Sequence, residues 1–97
     1  MPYVLQANRA HIEGPMARLA RYLGLPKAGF AGVLDWVVNL RGELDIPHSL
    51  GEIGIDDARI EQVGRMAEAD PSAGTNPVRY DAQAYSRLFE KALHGRL

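Results

Sequence analysis

Apolar residues in this chain return every three or four positions, and over no useful length do they alternate. Phe30, Val33, Leu34, Val37, Val38 and Leu44, with Arg41 in register, form the longest such series. A repeat near 3.6 residues puts them on one stripe of a helix, whereas a half-buried strand needs a period of two. The β-branched residues are scattered among good helix formers, so the pattern predicts an all-α fold. Pro47 is expected to end this helix, and Trp36, which flanks the stripe, to anchor a neighbouring element.

Three more helices follow from the same reasoning. Met16, Leu19, Ala20 and Leu23 predict a helix over 13–23, with Pro15 in its first turn, where a missing N–H costs nothing, and Gly24 as its stop. Asp56 and Asp57 are candidate N-caps for a helix over 57–69 that carries Ile60, Val63, Met66 and Ala67. Asp81 can cap a last helix whose inward face is Ala84, Tyr85, Leu88, Phe89 and Ala92, fraying near Gly95. The opening PYVLQAN reads as the tail of a helix rather than an element of its own. The expectation is a single domain over 1–97, a small bundle of four main helices plus an N-terminal helix remnant. Its core residues include Leu34, Val37, Leu44, Val63, Leu88 and Phe89. Tyr3, Val4 and Leu5 are expected to lack cover within the chain and to drive self-association.

Ninety-seven residues with a formal charge of −1 supply no basic field for a phosphate backbone, so no nucleic-acid partner is expected. The charge is uneven: residues 1–30 carry +3, residues 31–70 carry −6 and residues 71–97 carry +2. The middle third is therefore an acidic face, either solvated surface or a docking surface. The absence of cysteine excludes disulfides, thiolate metal sites and thiol nucleophiles, and fits a cytoplasmic protein. No targeting signal is evident. The strongest apolar run, FAGVLDWVVNL, is interrupted by Asp35 and Asn39 well short of a membrane span, so no membrane partner is expected.

The residues that could do chemistry are dispersed. His11, His48 and His94 lie too far apart in sequence for any two to share a helical face at i, i+3 or i, i+4, so no metal site is expected. His48 is read as a loop-bracing residue and His94 as a complement to a helix C-terminus. Asp56 and Asp57 are better explained as caps than as an acid/base couple. Ser49, Ser72 and Ser86 stand in no nucleophile elbow, and SAGTNP lacks the Lys-Ser/Thr of a phosphate-binding loop. No catalytic residue is assigned, which favours a binding module or part of something larger.

The order of motifs resembles the C-terminal helical region of the iron-containing alcohol dehydrogenases over essentially the whole chain. PYVLQAN is followed by ARLARYLGL, by a long helix ending in LRGELDIPHSLGEIGI, by MAEADPSAGTNP and by SRLFEKAL. The most specific pieces are LDIPHSLGEIGI, similar to the family's L-x-I-P-x-x-L-x-x-x-G-I/V, and DPSAGTNP, similar to its D-x-C-x-x-x-N-P loop. The resemblance implies an oxidoreductase that uses NAD(P) on an N-terminal α/β domain. It also implies Fe²⁺ or Zn²⁺ held by one aspartate and three histidines.

Those ligands and the glycine-rich nucleotide loop lie upstream of the region that this chain resembles, so it is expected to be inactive alone and to hold no cofactor. Its partners would be the missing nucleotide- and metal-binding portions, or further copies of itself. The resemblance also implies that Ser72, at a position often occupied by cysteine in the family, lines the substrate pocket. A rigid joint, with the residue before Pro77 biased away from helix, accounts for the same loop without a ligand. The alternative reading of the chain is a free-standing helical module for self-association or protein interaction.

Overall fold

In the computed structural model, which describes residues 1–97, four α-helices and two short 3-10 helices account for all regular structure, with no strand. The helices are α1 (Pro2–Tyr22), α2 (Gly29–Glu43), α3 (Ile60–Ala69) and α4 (Ala82–His94), with 3-10 helices at Gly51–Ile53 and Pro71–Thr75. The all-α expectation holds. The chain divides into two compact units, Met1–Ile46 and Pro47–Leu97, each built on one packed helix pair, α1 with α2 and α3 with α4.

In the first unit the expected break between an N-terminal remnant and a helix over 13–23 does not exist. α1 runs unbroken for 21 residues with Pro15 inside it. The reason is the stripe that crosses the proline: Leu5, Asn8, Ile12, Met16 and Ala20 recur every three or four residues, and each is buried or half-buried. An interior proline costs about 3 kcal/mol, and burying each large apolar side chain returns about 1.5–3 kcal/mol, so several such residues outweigh one lost hydrogen bond. Ala20 packs with Val33 and Val37, and Leu5, Met16 and Leu25 close around them. Phe30 is buried, with the Arg9 guanidinium 5.1 Å from its ring centre.

The expectation that Tyr3 and Leu5 lack cover is thereby corrected. Tyr3 is buried and Leu5 packs on the Ala20–Val33–Val37 cluster, because α1 continues past Pro15 and lays its first turns along α2. Only Val4 of that trio is exposed. On α2, Val37 is core as expected and Leu34 is half-buried, but Leu44 is 61% exposed. Leu44 stands past the last helical residue, where the backbone leaves the stripe. Trp36, expected as an anchor, is likewise exposed.

Pro47 is not what ends α2. The Asp45 N–H donates to the Gly42 carbonyl and the Ile46 N–H to the Arg41 carbonyl, with Asp45 at φ 54°. This is the Schellman arrangement, with aspartate where glycine is usual. α1 ends the same way at the expected residue: Gly24 is at φ 62°, and the Leu25 N–H reaches the Ala20 carbonyl.

In the second unit α3 begins three residues later than expected. Asp56 Oδ1 accepts from the Ala58 N–H and so closes a turn ahead of the helix, and Ile60 is the first helical residue. A short side chain that bonds two residues ahead holds the backbone in a turn rather than a helix. The Asp81 cap is as expected, with Oδ1 accepting from the Ala84 N–H at 2.8 Å. α3 and α4 approach closely at Gly64, where a Cβ would overlap the Ser86 hydroxyl and the Ala82 carbonyl. The Ser86 hydroxyl donates to the Ile60 carbonyl at 3.1 Å, tying the pair together. Val63, Leu88 and Phe89 are half-buried, and Leu93 is the buried large side chain of α4.

The PHSLGEIGI stretch folds over the end of α4. The Leu50 N–H donates to the Ala92 carbonyl, and His48 Nε2 lies 3.0 Å from the Gly95 carbonyl oxygen. Carbonyls near a helix C-terminus lack intrahelical partners, and this loop supplies them. Ser49 and Glu52 brace it as a capping box: the Ser49 N–H and hydroxyl both donate to the Glu52 carboxylate, which holds that carboxyl below its usual range.

Candidate functional site

The DPSAGTNPVR stretch builds the site. Asp70 leaves α3 with extended backbone, as a residue before proline prefers, and its Oδ1 accepts from the Ser72 N–H at 2.7 Å. The Ala73 N–H donates to the Asp70 carbonyl, the Thr75 hydroxyl to the Ser72 carbonyl, and Asn76 Nδ2 to the Val78 carbonyl at 2.6 Å. Asp70, Thr75 and Asn76 are thus engaged with nearby backbone, which fixes the loop's shape without a partner.

This loop, the last turn of α3 and the first turns of α4 enclose a cleft of about 330 Å³. Its lining includes Glu68, Asp70, Asn76, Arg79, Tyr80 and Tyr85. The rings of Tyr80 and Tyr85 meet edge to face, 5.7 Å between centres and 83° between planes. Burial, with Tyr85 beside it, pushes the Tyr80 hydroxyl above its ordinary pKa. The hydrogen bond from the Ser72 N–H, with its hydroxyl as a smaller contribution, holds the Asp70 carboxyl below the usual carboxylate range. The Glu68 and Arg79 side chains take part in none of the chain's ion pairs or side-chain hydrogen bonds. The cleft therefore presents uncommitted charge of both signs beside aromatic surface.

Ser72 lies on the turn between Asp70 and Ala73 and is exposed; its backbone N–H, more than its hydroxyl, holds Asp70. Sequence reasoning singled out the loop but missed Glu68, Arg79, Tyr80 and Tyr85. The available signal was the flanking placement of a carboxylate, a guanidinium and two tyrosines around a proline-rich turn.

His11 is exposed on α1, His48 braces the end of α4, and His94 is exposed in that helix's last turn. No three His, Cys, Asp or Glu side chains gather where they could hold a metal ion. No helix is long and apolar enough to cross a membrane. The fold and cleft define an all-helical protein with a small polar and aromatic cleft. No protein-family model matches the chain, and no curated protein matches it.

Proposed function

We propose that this chain is the C-terminal helical part of a cytoplasmic oxidoreductase of the iron-containing alcohol dehydrogenase type, contributing packing and one wall of the substrate cleft. The observation that carries this reading is the cleft at the DPSAGTNP loop, the stretch that resembles the family's cleft-facing loop. The metal and NAD(P) of such an enzyme would be held by residues outside this chain, and the chain alone is inactive. The test is to join it to the portion encoded upstream in the same reading frame and assay nicotinamide-dependent alcohol oxidation. Activity that depends on both parts supports the reading. An upstream sequence with no nucleotide-binding and metal-ligating portion overturns it.

A second reading, a free-standing module that associates with itself or a partner, is favoured by the exposed large apolar side chains, among them Tyr22, Trp36 and Leu44.

A further inference from the structure

The cleft at the 70–80 loop, about 330 Å³ and at the small end of the range for ligand sites, has Glu68, Asp70, Arg79, Tyr80 and Tyr85 among its lining residues. Glu68 and Arg79 form no ion pair with each other or with any other residue. A purely cationic ligand would meet Arg79, and a purely anionic one would meet two carboxylates. A neutral apolar one would strip water from all three charged groups without replacing it. We propose that this cleft binds a small zwitterion, an amino-acid-like molecule with an ammonium, a carboxylate and an apolar body.

The carboxylates accept from the ammonium, and Arg79 donates its fork to the ligand carboxylate. Tyr80 and Tyr85 give the apolar body a surface and the ammonium a ring face. The Ser72 N–H keeps Asp70 ionised into the acid range, so the acceptor charge is present throughout the neutral range. This deepens the substrate-wall reading and rests on it for the cleft's role, though not for binding itself.

The experiment titrates the isotope-labelled chain with three probes of matched body, L-phenylalanine, phenethylamine and 3-phenylpropanoate, and follows backbone amide resonances. The expected result is saturable shifts confined to residues 68–85 with phenylalanine, and affinity about tenfold weaker for each singly charged probe. Glu68→Gln and Arg79→Gln, both exposed and without partners in the fold, are each expected to weaken phenylalanine by a similar factor while leaving the melting temperature unchanged. Equal affinity for the three probes, shifts elsewhere in the chain, or no saturable shift overturns the proposal. If phenylalanine binds as expected while no enzyme portion is encoded upstream, the dehydrogenase reading fails and the zwitterion site stands. If the joined enzyme is active but the cleft ignores the ligand's charges, only the zwitterion proposal fails.

Discussion

Gly64 shows how a single missing side chain sets the distance between two helices. A Cβ there meets the Ala82 carbonyl, which is backbone of the facing helix and cannot rotate aside, as well as the Ser86 hydroxyl that bonds Ile60. Gly64→Ala must push α3 and α4 apart, and the expected loss is about 1–3 kcal/mol by thermal or denaturant unfolding. Gly42→Ala has the opposite expected sign, since nothing lies near its absent Cβ within α2, and a gain of about 0.5–1 kcal/mol follows from helix propensity alone. Two carboxylates make the acid response just as specific. The Ser49 and Ser72 N–H groups lower the folded-state pKa of Glu52 and Asp70, so each contributes stability above its unfolded pKa. That contribution disappears as pH falls from about 4 through the lower folded value. Carboxyl chemical shifts followed against pH should show both midpoints below the ordinary carboxylate value, and Ser49→Ala, which removes only the hydroxyl's smaller share, should raise that of Glu52 part of the way and leave that of Asp70 unchanged.

The helices end by local backbone geometry more than by proline. Asp45 occupies a left-handed position that an L-residue adopts at a cost, so Asp45→Gly should stabilise the end of α2 by up to about 1 kcal/mol. Pro47→Ala should leave α2 the same length, because the helix has already stopped at Glu43. Hydrogen exchange of the Asp45 and Ile46 amides distinguishes these outcomes. The pattern of apolar residues made the number and order of helices legible, as well as the caps at Gly24 and Asp81. It did not reveal that α1 continues through Pro15, because a proline's local cost is visible in sequence whereas the stripe from Leu5 to Ala20 gains its value only against α2. Leu44 failed as a core residue for a related reason: it fits the periodicity of α2, but the helix ends one residue before it. The loop of the cleft was legible from its turn chemistry. Its charged and aromatic lining was not, since Glu68 and Tyr85 come together only through the pairing of α3 with α4.

At the scale of the chain, the large apolar side chains left in solvent bear on the self-association reading. Tyr22 is 87% exposed and Leu44 61%, and Trp36, Ile53 and Met66 are exposed as well. Scattered single residues of this kind are ordinary, but within the first unit alone Leu19, Tyr22, Leu23, Trp36, Leu44 and Ile46 are all exposed. Covering one such side chain fully is worth about 1.5–3 kcal/mol, so a contact that covers several of them can hold two copies together at modest concentration. The expected outcome is concentration-dependent association of the isolated chain, measured by light scattering. Tyr3 takes no part, because α1 and α2 already bury it. Tyr22→Lys and Leu44→Lys, at exposed positions, should each shift the association midpoint upward by about tenfold or more without lowering the melting temperature. Joining the chain to an upstream enzyme portion that covers the same residues should abolish the concentration dependence altogether. A chain that stays monomeric over the whole range, with the lysine variants behaving identically, would remove self-association as a role for these side chains.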